Sequence, residues 1–302
     1  VQPWVLRRIG ADLVHGPVFV GPLLAPCPVI VTIHDLSFIR CPDLSRPANR
    51  LYLTVLTRLS AQRARRLIAV SAHAAAESTR LLGVPRERVD VIYHGVDPVF
   101  HPLPVDEVAA FRRDRGLPER FVLFVGTLEP RKNIVGLIEA YAKLPKERPP
   151  LVIVGGKGWF YDEIFCRVET LELTDEVHFA GFVPAEDLPL WYNAADLFVY
   201  PSMYEGFGLP PLEAMACGTA VITSTASSLP EVVGKAGQLV DPTDTDALAT
   251  AMEQVLGNRD LQKQMQAAGL VQAGGFSWEK AARQTVASYR RALTPGEDKQ
   301  GV

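Results

Sequence analysis

YPSMYEGFGLPPLEAMACG, residues 200–218, decides the fold. An apolar strand ends at Tyr200, a glycine-bearing turn follows, and Pro210 and Pro211 stand where the first turn of a helix tolerates proline. The order is strand, loop, helix N-terminus. Such a terminus carries backbone N–H groups without intrahelical partners, and its dipole favours negative charge. The amides of Gly206, Phe207, Gly208 and Leu209 are therefore candidates to hold an anion, a phosphate above all, and the glycines let main chain approach it closely. Glu205 lies in the loop, and Glu213 in the first helical turn or just beyond, so the two carboxylates can reach different parts of one extended ligand. Taken alone, they also fit plain dipole partners of a helix.

Working outward, short β-branched runs alternate with helical patterns, the signature of βαβ units and parallel sheets buried on both faces. Downstream of residue 120, candidate strands fall at Phe121–Gly126, Leu151–Gly155, Val177–Gly181, Leu197–Pro201, Ala220–Ser224 and Gln238–Asp241. Six strands with intervening helices make a complete Rossmann-like domain. Upstream there are four, at Asp12–Gly16, Pro28–Asp35, Arg66–Ser71 and Val89–Gly95, with Ser71 as N-cap of a helix over Ala72–Leu82 that Gly83 stops. The Pro-rich HPLPVDEV reads as a linker into a helix over Val105–Arg115. The expected organisation is an N-terminal Rossmann-like domain over 1–104, a second over 105–276, and a helix with tail over 277–302. The final helix carries apolar residues at Trp278, Ala281, Ala282, Val286, Tyr289 and Ala292, which suits packing back on the first domain. With four strands against six and no glycine-rich first turn, the first domain is expected to be truncated at its N-terminal side, and the chain to be inactive by itself.

A net charge of −3 with 22% charged residues argues against the one-sided basic surface that nucleic acid requires. No run of about 18 apolar residues occurs, so any membrane contact is expected to be peripheral. The oligomeric state is not legible. Cys27, Cys41, Cys166 and Cys217 have no CxxC spacing, which disfavours a zinc site or disulfide framework and fits a reducing, cytoplasmic setting, with the inner face of the membrane as the place of any contact. Apart from His34, the histidines show no ligand spacing, and no metal site is read.

Other strand ends carry candidates. In FVGTLEPRKNI, Gly126 and Thr127 close a strand, and Arg131 and Lys132 precede a helix expected near Asn133. Two cations at a helix N-terminus oppose the dipole, which points to an anion that offsets them. Gly155-Gly156-Lys157-Gly158 is either an ordinary tight turn or a place where main chain meets a ligand, Gly156 being the candidate contact. In VIVTIHDLSF, His34 and Asp35 end a strand at the edge where open α/β sheets bind ligands. Leu188, Trp191 and Tyr192 have the spacing of core packing and are left out of the site.

The EGFGLPxLEAMACG core resembles the Glu-x7-Glu signature of the retaining glycosyltransferases of family 4, and the likeness runs from the HD strand to the final helix. It implies a GT-B architecture, two Rossmann-like domains facing a cleft, with the donor held by the second. It further implies that Glu205 and the following amides hold the donor sugar and diphosphate, that Glu213 binds the ribose, and that Arg131 and Lys132 bind the diphosphate. The Gly181-Phe182-Val183 turn would line the base pocket, and His34 would be the family's catalytic-loop histidine. Thr127 departs from the pattern, since many members have arginine there; Arg131 is the candidate replacement.

The expected reaction is transfer of a hexose, with retention, from a nucleoside-diphosphate sugar to a hydroxyl of a saccharide or lipid-linked acceptor. The wording EPRKN and HDLSF resembles mannosyltransferases of bacterial surface polysaccharides, which favours GDP-mannose over a UDP-sugar. Cations and amides stand in for a divalent metal, no Asp-x-Asp motif is read near a strand end, and activity without added metal is expected. The competing readings are a sugar-nucleotide epimerase or glycoside phosphorylase of the same architecture, and a nucleotide-sugar-binding module without catalysis.

Overall fold

Two parallel sheets organise the chain. The computed structural model describes residues 2–40 and 47–294; Cys41 and the tail 295–302 lie outside the described residues. The first sheet has β1 (Val14–Gly16), β2 (Val29–Ile33), β3 (Arg66–Ala69) and β4 (Val89–Val91), in that spatial order and parallel throughout. The second has β5 (Val122–Val125), β6 (Leu151–Val154), β7 (Val177–Gly181), β8 (Leu197–Tyr200), β9 (Val221–Ser224) and β10 (Gln238–Val240). Its spatial order is β10-β9-β8-β5-β6-β7, again all parallel.

That second order is the doubly wound one, in which the chain reverses direction across the sheet between its first and fourth strands, β5 and β8. The central strands VLFV, LVIV and LFVY are buried at every position. Helices cover both faces of such a sheet, which is why these strands read as unbroken apolar runs instead of alternating ones.

The ten strands occupy the positions legible in the sequence, with ends trimmed by up to four residues. Local signals also hold. Ser71 Oγ accepts the Ala74 N–H, and Gly83 closes the helix Ala72–Leu82 in the left-handed region at φ 70°. The helix Trp278–Leu293 opens on Ser277, which accepts the Lys280 N–H, and its Ala281 and Ala292 join Ile30, Ile68 and Ile92 in one apolar cluster.

The chain divides into one unit of Val1–Gly95 with Ser277–Val302, and another of Val96–Phe276. The division falls nine residues before the expected boundary at Pro104. The physical reason is Asn193: its Oδ1 accepts the Leu103 N–H and its Nδ2 donates to the His101 carbonyl, so the Pro-rich stretch is tied to the second unit.

Candidate active site at the carboxyl edge of the second sheet

The loops after β5, β6, β8 and β9 meet at the edge where the strand order reverses. The helix Leu209–Ala216 follows β8 through Gly208, whose φ of 122° and ψ of 57° suit glycine, and has its prolines in the first turn. A Cβ on Gly208 would lie 2.8 Å from Leu229 Cδ2, so close packing and backbone conformation both select glycine. Among the described residues, no acceptor meets the N–H of Gly208 or Leu209.

Glu205 is 8% exposed. Its Oε1 accepts from Lys132 Nζ at 2.7 Å, Ser202 Oγ at 2.7 Å and Tyr200 OH at 2.9 Å, and its Oε2 from Arg131 Nη1 at 3.0 Å. Burial by itself raises a carboxyl pKa, but Lys132 and then Arg131 outweigh it and hold Glu205 below its ordinary value. Arg131 also donates to Glu129 Oε1 at 2.7 Å and to the Tyr204 carbonyl at 2.6 Å. The expected sugar-facing glutamate is thus turned into the protein, because a desolvated carboxylate is stable only when paired and hydrogen-bonded.

The same contacts change the reading of Arg131 and Lys132. Two cations face two carboxylates, Glu129 and Glu205, so the offsetting negative charge is supplied by the chain itself. They form a 3-10 turn, Pro130–Lys132, directly before Asn133, the N-cap at φ 55° of the helix Ile134–Ala142, so the expected helix start near Asn133 holds. Asn133 Nδ2 donates to the Pro242 carbonyl at 2.7 Å, which fixes that corner.

Glu213 stands in the second turn of its helix, half-buried, and its Oε2 accepts from Tyr192 OH at 2.8 Å. Burial pushes its carboxyl above the ordinary value, the Tyr192 hydrogen bond pulls it back, and nearby Asp97 pushes it up again. Tyr192 is fully buried. Its helical spacing marks it as core, which it is, yet the hydroxyl is spent on Glu213. Tyr200 and Ser202, which hold Glu205, were missed likewise. The only signal was their place beside the glutamate at the strand end.

Gly126, Thr127, Gly156 and Phe182 line the same edge, laced by Gly126 N–H to the Val154 carbonyl, Leu128 N–H to Gly156 and Gly155 N–H to Gly181. Gly155 needs to be glycine: its φ is 153°, and a Cβ would come 1.9 Å from the Gly126 carbonyl oxygen. Gly156 has open space, with nothing nearer than Phe182 Cβ at 4.0 Å. Phe182 is 79% exposed, whereas the Val183 side chain is buried.

His34 lies in the first unit, just beyond β2. Its Nε2 and the Pro17 carbonyl are 2.9 Å apart, and its ring stacks on His94 at 5.5 Å. Burial, and then His34, push His94 down to about 4. Both histidines line a cavity of about 620 Å³ in that unit, walled by Val70, Ile92, Trp278 and Tyr289. Asp35 Oδ1 accepts the Ser37 N–H and hydroxyl, two residues on, where the short helical turn Ser37–Arg40 begins.

Among the described residues, no three His, Cys, Asp or Glu side chains are grouped to hold a metal ion. The sequence does contain an Asp-x-Asp just after β10, at Asp244-Thr245-Asp246, contrary to the expectation of none near a strand end. The structure gives it other partners: Asp244 caps the helix Thr245–Gly257, and Asp246 pairs with Lys143. No helix among the described residues is long and apolar enough to cross a membrane.

Known proteins are similar to this chain in sequence and fold. The family profile of glycosyl transferases group 1 matches residues 107–271, and that of glycosyltransferase family 4 matches residues 3–100. The O-antigen chain mannosyltransferase B of Escherichia coli is 38% identical over 294 residues, covering 96% of this chain and 77% of that protein. The serotype-specific mannosyltransferase WbdA of the same species is 34% identical over 78% of this chain, which spans only 30% of WbdA. Among solved structures, sucrose-phosphate synthase of Thermosynechococcus elongatus superposes with a TM-score of 0.81 at 28% identity, covering 95% of this chain and 75% of that one. The chain belongs to the group 1, family 4 glycosyltransferases, and is a glycosyltransferase of the GT-B fold.

Proposed function

We propose that the enzyme moves a mannosyl residue, with retention, from GDP-mannose to a hydroxyl of a saccharide or lipid-linked acceptor in bacterial surface polysaccharide synthesis. The observation that carries this reading is the pairing of two features at one sheet edge. Lys132 and Arg131 are held by Glu205 and Glu129 after β5, and the N-terminus of Leu209–Ala216 follows β8 across the switch point. A diphosphate bridging them gains charge-assisted bonds from the lysine and the amides of Gly208 and Leu209, which stabilise the negative charge that develops on departure. The carboxylate of Glu213 receives the ribose hydroxyls, and the turn at Phe182 and Val183 receives the base.

In the reaction, the acceptor oxygen bonds to the anomeric carbon while the bond from that carbon to the diphosphate oxygen breaks. The acceptor proton passes to the departing phosphate on the same face of the sugar. Glu205 suits no nucleophilic role, since both its oxygens are taken by protein donors; it positions the cations. The lysine and amides take the place of a divalent metal. The choice of mannose rests on the names of the two Escherichia coli relatives.

The test pairs a thermal-shift panel of GDP-, UDP- and ADP-sugars with product analysis, by NMR, on a mannose-bearing acceptor in the presence of a chelator. The expected outcome is stabilisation by GDP-mannose above the others and an α-linked product. A product of inverted configuration, preference for another base, or activity abolished by the chelator and restored by magnesium would each overturn the corresponding part.

A further inference from the structure

Hydroxyls at the end of β9 and in the loop beyond it reach back to the segment that follows β8. The stretch is Thr223-Ser224-Thr225-Ala226-Ser227-Ser228. Thr223 Oγ1 donates to the Tyr200 carbonyl at 2.7 Å and Ser224 Oγ to the Ser202 carbonyl at 2.6 Å. Ser227 Oγ accepts the Glu205 N–H at 2.8 Å. Ser228 Oγ donates to the Phe207 carbonyl at 2.7 Å, with the Glu205 carbonyl 3.0 Å away. Thr223, Ser224 and Ser228 are fully buried.

Two details single out the last two serines. Ser227 has a φ of 52°, a left-handed conformation that glycine takes freely and that strains a residue with a side chain. The side chain kept there in spite of the strain is the one bonded to the Glu205 N–H. Ser228 stands at the N-cap of the short helix Leu229–Val233 and does not cap it. A serine in that place ordinarily accepts an N–H of its own helix, whereas this hydroxyl is turned to the neighbouring loop. Leu229 and Val232 of the same helix pack behind Gly208.

The polar main chain at Glu205 and Phe207 is thus fastened from the side of β9. The N–H groups of Gly208 and Leu209, next along the chain, are the ones that no acceptor meets among the described residues. Amides stabilise an anion best when their direction is fixed before it arrives. Resting on the reading of this edge as a diphosphate site, we propose that Ser227 and Ser228 are positioning residues for the donor diphosphate. They hold the loop so that the Gly208 and Leu209 N–H groups aim at a phosphate.

The experiment titrates the full chain calorimetrically with GDP and UDP, each against its own nucleoside, guanosine or uridine. The ratio of the two affinities isolates the phosphate contacts, because a change that merely loosens the fold weakens nucleoside and diphosphate alike. The parent should prefer the diphosphate. Ser227→Gly loses the hydroxyl and relieves the strain, so it should cut that preference about tenfold, the loss of one hydrogen bond to a charged group. Its melting temperature should stay within about 4 °C of the parent's. Ser228→Ala releases two carbonyls and should cut the preference at least as much. Thr225→Ala, at an exposed position between them, should leave it unchanged. If the parent prefers the diphosphate and both serine variants keep that preference, this assignment alone is overturned. Equal loss of nucleoside and diphosphate affinity also overturns it, assigning the serines to the fold. A parent without the preference overturns the diphosphate reading of the edge, and this assignment with it.

Discussion

Replacing Glu205 by glutamine tests whether the cluster around it is held by internal charge balance. The parent sets Lys132 and Arg131 against Glu205 and Glu129; the variant keeps both cations and one carboxylate, a site of net charge +1. Glutamine keeps the shape and can still accept from Tyr200 and Ser202, but Lys132 loses its ionic partner in a place that is 8% exposed. Breaking a buried pair by removing one partner costs about 3–5 kcal/mol, and the retained acceptors put this case near about 3. For a unit of the size of residues 96–276, each kcal/mol shifts Tm by about 2–4 °C, so the variant should melt about 6–12 °C lower. A nucleoside diphosphate brings the missing negative charge and should raise the variant's Tm by more than the parent's. The carboxyl of Glu205 is depressed in the fold, so its contribution is complete above about pH 4.5 and fades as pH falls through the lowered pKa. The gap between parent and variant should therefore close in acid. Differential scanning calorimetry with and without GDP, at pH 7 and in steps downward from pH 4.5, reads all three effects. A variant that melts within about 2 °C of the parent at pH 7, or gains no more from GDP, would refute the reasoning.

Two further outcomes follow from the same edge. The carboxyl of Glu213 is raised above 4.5, so nucleotide affinity should fall as pH drops through that raised value; Tyr192→Phe, by removing a bond that favours the anion, should move the fall to higher pH, and Glu213→Gln should abolish it. Calorimetric titration with GDP between pH 4.5 and 8 checks this, and a flat parent profile would contradict it. Gly155→Ala should lower stability by more than about 1 kcal/mol, since its Cβ meets a carbonyl oxygen and its φ disfavours a side chain, whereas Gly156→Ala should be near neutral; equal melting of the two variants would count against the geometry.

Local chemistry makes much of this molecule legible in its sequence. The runs VLFV, LVIV and LFVY could only be strands buried on both sides, Ser71 and Gly83 bracket their helix by capping geometry, and GFGLPP after an apolar run forces a turn into a helix N-terminus. These features depend on neighbours in the chain, so the order of residues carries them. The family signature lies in the same local stretch.

Partner choice across the sheet was not legible. That Glu205 would turn inward depended on Arg131 and Lys132, more than 70 positions earlier, arriving beside it when β5 pairs with β8. That Tyr192 would spend its hydroxyl on Glu213 depended on two helices packing side by side. The sequence by itself determined the elements, the parallel sheets and the loop that leads from β8 into a helix N-terminus, because each follows from local sterics and periodicity. Only the tertiary structure decided which charges neutralise one another, because in a desolvated site that depends on distances of a few ångströms between residues far apart in the chain.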